Sequence, residues 1–327
     1  MVFESMGRVA VEEFEVEEPG EGELLVKTVC TAISPGTETA FLLGLPNTPR
    51  KYPIYPGYSN AGIVVEVGSR ASFREGDAVA SPSQHASYVV VGSDNAVRIP
   101  ERVAFEDACF FNLVSIALQG VRRAQLEIGE SVVVMGLGVV GQLALQLAVL
   151  AGGMPVIGGD LSDYRCNIAR ELGADYTINP SKEDLESRVL ELTGGKGADV
   201  VIEATGNPEA IPTAFKIAGR YGRVVISGSP RGVMGELNFY TEVHRKGLTI
   251  IGAHNSLRPR VDSHKWWRTA RDNWMLALKL ISRGRVNVRR LASVKLEYRY
   301  AAEAYRLLIE EKHRTLGVGS IGRVAVP

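Results

Sequence analysis

Val132-Val133-Val134-Met135-Gly136-Leu137-Gly138-Val139-Val140-Gly141, followed by Val156-Ile157-Gly158-Gly159-Asp160, is the part of the chain whose reading decides the fold. The first stretch reads as a buried strand running into three glycines. Residues 142–151 continue as an apolar helix, and the next strand closes on an acid. Strand, glycine turn, helix and acid in that order form the dinucleotide-binding fingerprint in its full context. Gly136 suits the tight turn, Gly138 lets the backbone approach a pyrophosphate, and Gly141 lets the helix lie close on the strand. Val139 and Val140 then present the free amides of a helix start, which attract phosphate.

Asp160 bears on the choice of cofactor. Its carboxylate accepts hydrogen bonds from ribose hydroxyls and repels a phosphate on the same ribose, which favours NAD(H) over NADP(H). Arg165 has two readings, a contact to adenine or phosphate and a solvated helix residue, and both stay open.

With 37 basic and 37 acidic residues the formal charge is zero, which leaves no general attraction to nucleic acid or to an anionic membrane. An apolar share of 45% beside 23% charged residues describes an ordinary globular chain long enough for two domains. The first residues lack a basic segment followed by an apolar core, so a cytoplasmic protein is expected. Residues 132–159 are apolar over a membrane-spanning length, but glycines, Pro155, Gln142 and Gln146 break them. They read as strand, helix, strand. Cys30, Cys109 and Cys166 are too few and too scattered for a four-cysteine zinc site or a disulfide framework.

Residues 23–29, 61–67 and 86–91 are β-branched runs between Gly, Pro and Ser, so the first part of the chain reads as β-rich. From Phe105 a helical pattern runs toward Arg123, and strands then alternate with helices to about Ala253. Residues 199–206 and 222–228 read as buried parallel strands ending in small residues. This places Thr205 and Gly228 where an open α/β sheet binds ligands. A helix is expected over about 270–283, and a closing strand over 318–326. The fold class is thus α/β, a doubly wound parallel sheet with a β-rich domain.

Several motifs together resemble the medium-chain dehydrogenase/reductase, or alcohol dehydrogenase-like, family. They are Pro19-Gly20-Glu21-Gly22-Glu23, Gly36-Thr37-Glu38, Pro56-Gly57-Tyr58-Ser59-Asn60-Ala61-Gly62, Gly76-Asp77-Ala78-Val79, the cofactor turn, and Glu203-Ala204-Thr205-Gly206. The resemblance implies a GroES-like barrel domain of residues 1–117 and 255–327, with a Rossmann domain of 118–254 inserted and substrate held where the two meet. It also implies a homodimer or homotetramer, for which Leu248-Thr249-Ile250-Ile251 is a candidate edge strand.

Zinc-dependent members carry Cys-Gly-Thr-Asp and Gly-His-Glu where this chain has Ser34-Pro35-Gly36-Thr37-Glu38 and Gly57-Tyr58-Ser59. A third ligand position falls at about Asn112, and the four-cysteine lobe is missing. A hydroxyl, a phenol and an amide make a poor zinc site, so no metal is expected. Thr37 matches the family hydroxyl that starts a proton relay, Tyr58 stands where the zinc histidine would be, and His85 offers an imidazole just before a strand. These three are the catalytic candidates. Each also has a structural reading, as a local hydrogen-bonder, a space filler and a bonded histidine. Glu38 is expected to be bonded in its loop or to Arg or Lys. His254 follows the strand that in the family lies against the nicotinamide, and so is a cofactor candidate.

The leading expectation is a zinc-independent NAD(H) oxidoreductase acting on a secondary alcohol or its ketone. Similarity to polyol dehydrogenases around residues 112–124 suggests a polyol, cyclitol or sugar-like substrate. The Ser-Pro-Gly-Thr-Glu turn resembles that of bacteriochlorophyllide-type hydroxyethyl dehydrogenases. A zinc-free quinone or enoyl reductase, and a dinucleotide-binding protein without catalysis, remain as alternatives.

Overall fold

Short β-branched runs punctuated by glycine and proline make the first hundred residues a sheet, in a computed structural model that describes residues 1–321. The strands are β1 (Val2–Ser5), β2 (Arg8–Ala10), β3 (Glu23–Ile33), β4 (Asn60–Val67), β5 (Ala78–Ser81), β6 (Tyr88–Gly92) and β7 (Val97–Arg98). In β3 buried and half-buried residues alternate along the first half, as a strand with one face on a core requires. Leu24 and Val26 meet Val64, Val79, Val89 and Val91 in that core. Helix α1 (Pro35–Leu42) follows β3 directly, and α2 (Phe105–Ala108) and α3 (Phe111–Ala124) lead out of the sheet.

The next segment alternates strand and helix. It contains β8 (Val132–Met135), α4 (Val139–Leu150), β9 (Val156–Gly159), α5 (Asp163–Glu171), β10 (Tyr176–Ile178), α6 (Leu185–Leu192), β11 (Ala198–Glu203), α7 (Ile211–Ile217), β12 (Ala218–Ile226) and β13 (Thr249–Gly252). All six strands are parallel, in the order β10-β9-β8-β11-β12-β13. Numbered within this sheet that is 3-2-1-4-5-6, the doubly wound order whose reversal point lies beside β8. The expected α/β architecture is therefore present, and its switch point falls at the glycine turn.

The chain then returns to the first sheet through α8 (Ala270–Ser282), β14 (Ala292–Glu297), α9 (Ala301–Glu310) and β15 (Gly317–Ile321). Strand β15 pairs antiparallel with β3, so the C-terminal segment completes the N-terminal sheet. Ala301, Ala304, Tyr305 and Leu308 fall at helical spacing on the buried face of α9. Of these, Ala304, Tyr305 and Leu308 join Phe3, Ile33, Leu42 and Val318 in a second core. The strand expected over 318–326 is described to Ile321, and the rest lies outside the described residues.

Two compact units result. One holds Met1–Gly44, Thr48–Ser115 and the described residues from Arg271 onward; the other holds Leu45–Asn47 and Ile116–Ala270. The second division lies beyond residue 254, where the sequence placed it. Trp267 explains part of that difference, since the Arg123 guanidinium sits 4.5 Å over its ring and holds the segment after β13 within the parallel-sheet unit. Among the described residues no helix is long and apolar enough to cross a membrane.

Gly136 has φ +85°, and a Cβ on Gly141 would lie 1.8 Å from the Gly136 carbonyl oxygen. The turn thus excludes side chains by backbone conformation at one end and by contact with α4 at the other. Gly141→Val is expected to cost about 1–3 kcal/mol or more by overpacking. Thermal unfolding checks this, and an unchanged melting temperature would show that helix and turn are not in close contact.

Candidate functional site

In the parallel-sheet unit, β8 delivers the chain to the turn and α4 carries it away. Gly138 is the N-cap of α4 and no side chain caps that end. The first amides of a helix have no partner within the helix, so those of Val139, Val140 and Gly141 are available to an anion. Asp160, at the end of β9, accepts from the Leu137 amide at 2.8 Å through Oδ2 and from the Ser162 amide at 2.9 Å through Oδ1. The acid therefore pins the glycine turn as well as closing the strand. Arg165 is neither solvated nor free: its Nη1 stands 3.6 Å from Asp160 Oδ2, an ion pair that partly neutralises the carboxylate.

At the end of β11, Glu203 is buried. Its Oε1 accepts from the Thr205 amide at 2.7 Å and from the Thr205 hydroxyl. Thr205 is thereby fixed at the strand end, and Gly228 packs against it, since a Cβ there would meet the Gly206 amide nitrogen at 2.6 Å. Burial pushes the Glu203 carboxyl above its ordinary value, with the Thr205 donors opposing that shift in part. His254 lies exposed just after β13. Its Nδ1 is 2.7 Å from the Ser256 hydroxyl, so the imidazole caps a short turn.

The other unit holds the catalytic candidates, with Thr37 in α1 and His85 brought against that helix through Glu38. Thr37 is half-buried in that helix, and its hydroxyl makes no hydrogen bond among the described residues. The backbone-bonded threonine is Thr39, which donates to the Pro35 carbonyl. Glu38 is buried, with Oε1 accepting from the Ser34 amide at 2.8 Å. The local bond expected of Glu38 is present, but its other partners are neither Arg nor Lys. His85 Nε2 lies 2.9 Å from Oε2, and the Tyr305 hydroxyl donates to the same oxygen at 2.5 Å. His85 is buried in the loop before β6 and packs against Gly57, where a Cβ would fall 2.8 Å from its Cγ. Tyr58 is half-buried next in sequence, within electrostatic reach of Tyr305. Burial, then the Glu38 carboxylate, raise the Tyr305 phenol well above its ordinary value, so it acts as a donor.

Residues 20–146 match the profile of the alcohol dehydrogenase GroES-like domain, and residues 139–268 match that of zinc-binding dehydrogenase. The chain belongs to the medium-chain dehydrogenase/reductase family. It is an oxidoreductase of the alcohol dehydrogenase-like kind, and the family cofactor is a nicotinamide dinucleotide. D-guloside 3-dehydrogenase of Escherichia coli (strain K12) is 29% identical over 254 residues, covering 76% of this chain and 72% of that protein. L-threonine 3-dehydrogenase of Pyrococcus furiosus is 28% identical over 309 residues, with 84% of each chain covered. The structure of galactitol-1-phosphate dehydrogenase from Escherichia coli superposes with a TM-score of 0.85 at 22% identity, covering 98% of this chain and 99% of that one. The last likeness concerns the fold alone.

Zinc is the metal that the second profile brings to mind, and the donor set here does not fit it. The Asn112 side chain is already spent: Nδ2 donates to the Tyr58 carbonyl at 2.7 Å, and Oδ1 accepts from Trp274 Nε1 at 2.9 Å. Ser34 and Tyr58 offer a hydroxyl and a phenol where Zn²⁺ prefers thiolate, imidazole or carboxylate. Among the described residues no group of three or more His, Cys, Asp and Glu is placed to hold a metal ion.

Tyr305 is the member of the Glu38 network that sequence reasoning missed. Its signal is the spacing of Ala301, Ala304, Tyr305 and Leu308, which marks a helix face, but nothing in the sequence says that this face meets Glu38.

The raised Glu203 carboxyl has a pH consequence. A group whose folded value lies above its unfolded one adds stability below the unfolded value, near 4.5, and loses it as pH rises through the folded value. Wild type is therefore expected to gain stability relative to Glu203→Gln as pH falls from neutral into the upper carboxylate range. Denaturant unfolding across pH 4.5–7 reads this, with the lower limit being the ordinary value; parallel curves for the two proteins would contradict it.

Proposed function

We propose that the chain is a zinc-independent, NAD(H)-linked dehydrogenase that interconverts a secondary alcohol and its ketone. The substrate class is a polyol, cyclitol or sugar-like alcohol, with a hydroxyethyl group as the bulkier member. The observation that carries the reading is the glycine turn closed by Asp160 in one unit, together with Ser34, Tyr58 and Asn112 at the metal-ligand positions of the other. The names of the relatives, sugar and hydroxy-amino-acid dehydrogenases, support the alcohol class.

Oxidation breaks the carbinol C–H bond and the O–H bond, leaving a ketone. When bound, the nicotinamide takes the hydride. The protein must supply a donor to the substrate oxygen and a place for the proton. Thr37 and Tyr58 are assigned the oxygen, because by motif alignment they flank the position that zinc-dependent members of the family give to the metal. His85 is assigned the proton, since a neutral imidazole has one nitrogen that can accept it. Gly136, Gly138, Val139, Val140 and Gly141 receive the pyrophosphate, Asp160 the adenosine ribose, with Arg165 beside it. Thr205, Gly228 and His254 are assigned to the nicotinamide half. The protein acts in a reducing cytoplasm, where its three buried thiols stay free. It assembles as a homodimer or homotetramer through the β13 edge, whose Ile250 is 42% exposed.

Turnover of NAD⁺ with sorbitol, myo-inositol and methyl glycosides, beside quinones and enoyl thioesters with NADH, tests the reaction class. Reduction of only quinones or enoyl thioesters would overturn it. By calorimetry NADH is expected to bind more tightly than NADPH, with Asp160→Ser narrowing or reversing the gap. Tighter NADPH binding by the unmodified protein would contradict the role of Asp160. Thr37→Val and Tyr58→Phe are each expected to slow turnover by about a hundredfold with little change in NADH affinity. Normal rates in both would place the donor elsewhere.

A further inference from the structure

The buried network of Glu38, His85 and Tyr305 has more order than hydrogen bonding of a loop requires. Three groups converge on one carboxylate: the Ser34 amide donates to Oε1, the Tyr305 hydroxyl donates to Oε2, and His85 Nε2 lies 2.9 Å from Oε2. All three side chains are nearly inaccessible, with relative exposures of 1%, 3% and 1% for Glu38, His85 and Tyr305. An ionised carboxylate only accepts, and three donors compensate its burial. His85 then carries its proton on Nε2. Its other nitrogen, Nδ1, is buried and has no hydrogen-bond partner among the described residues.

We infer that Glu38 and Tyr305 are positioning residues that fix His85 in the Nε2–H form, leaving the buried Nδ1 lone pair as the one ring acceptor that the network does not fill. This deepens the dehydrogenase reading and rests on it for the role of His85. The proton released when the substrate O–H bond breaks forms an N–H bond at Nδ1. The ring becomes an imidazolium paired with the Glu38 carboxylate, so the buried charge changes from one negative to zero. Tyr305 acts through Glu38: its hydroxyl occupies one lone pair of Oε2 and leaves the other directed at Nε2. The logic is that of a carboxylate setting the tautomer of a histidine base. The titratable and charged groups around His85 are Glu38 on α1, which its Nε2 meets, Tyr305 on α9, which bonds the same carboxylate oxygen, and the Met1 ammonium, which donates to the His85 carbonyl at 2.9 Å.

The test combines ¹⁵N-detected spectroscopy of the histidine ring with steady-state kinetics. His85 in the full-length wild type is expected to show a protonated Nε2 and an unprotonated Nδ1 at neutral pH. Tyr305→Phe keeps the ring in its core, edge-on to Phe3 with centroids 5.0 Å apart, and removes only the donor. It is expected to lower kcat by about tenfold or more, with KM for the best alcohol of the panel nearly unchanged. Glu38→Gln is expected to populate both tautomers and to lower kcat further. Should Glu38→Gln fail to fold, Tyr305→Phe and the wild-type spectrum still decide. An Nδ1–H tautomer in the wild type would overturn the inference, as would a Tyr305→Phe protein with unchanged kcat. If the protein turns over no alcohol, the dehydrogenase reading fails, while the ring spectra of wild type and Glu38→Gln independently decide whether Glu38 sets the tautomer.

Discussion

A buried carboxyl group with no partner but its own hydrogen bonds organises the β-rich unit. Glu38 follows a β3–α1 turn that begins at Ser34, and its carboxylate reaches back to the amide of that same turn. It also accepts from a loop that precedes β6 and from a helix near the C-terminus. Removing a carboxylate from water is costly unless every lone pair finds a donor, so the three segments must arrive together. That demand accounts for the buried imidazole, for the close seat of His85 on Gly57, and for a tyrosine hydroxyl at the heart of an otherwise apolar core. It also ties residues 301–310 to the region that the family uses for chemistry.

The parallel-sheet unit repeats the device with two other acids. Asp160 spends both oxygens on backbone amides, one of them in the glycine turn, and Glu203 holds Thr205 at the end of its strand. Each carboxylate sits at a strand end, on the edge of the sheet where an open α/β fold binds ligands. Rigid backbone at that edge is what a phosphate or ribose needs, because free amides cost nothing to reorganise when they are already held. The Arg165–Asp160 pair adds a positive charge there, so that strand end is not purely acidic.

Much of this was legible in the sequence, for definite reasons. The glycine turn and its acid are local, and residues 132–160 contain strand, turn, helix and strand in order, so the switch point followed directly. The reading of Ser34, Tyr58 and Asn112 as poor zinc donors comes from the sequence alone, since donor chemistry is a property of residue type. Helix α1 was read only as a turn, because Gly36 and Thr37 are weak helix formers and the sign of a helix start is Pro35 at its first position. The partner of His85 was not legible either. Glu38 and His85 are far apart in the chain, and Tyr305 farther still; the β6–β3 pairing brings the His85 loop to the β3–α1 region, and the β15–β3 pairing with the packing of α9 brings Tyr305. Arg165 shows the same limit, for two readings were open and the ion pair with Asp160 is a third.

The central claim is that hydride transfer proceeds on this chain without a catalytic metal. Its most direct test is deuterium transfer from a carbinol-deuterated alcohol to C4 of NAD⁺, followed by NMR, on protein whose zinc content has been measured in the same sample. The account predicts stereospecific deuterium at C4 with zinc far below one equivalent per chain. Transfer that appears only when zinc is stoichiometric, and vanishes with its removal, would contradict it.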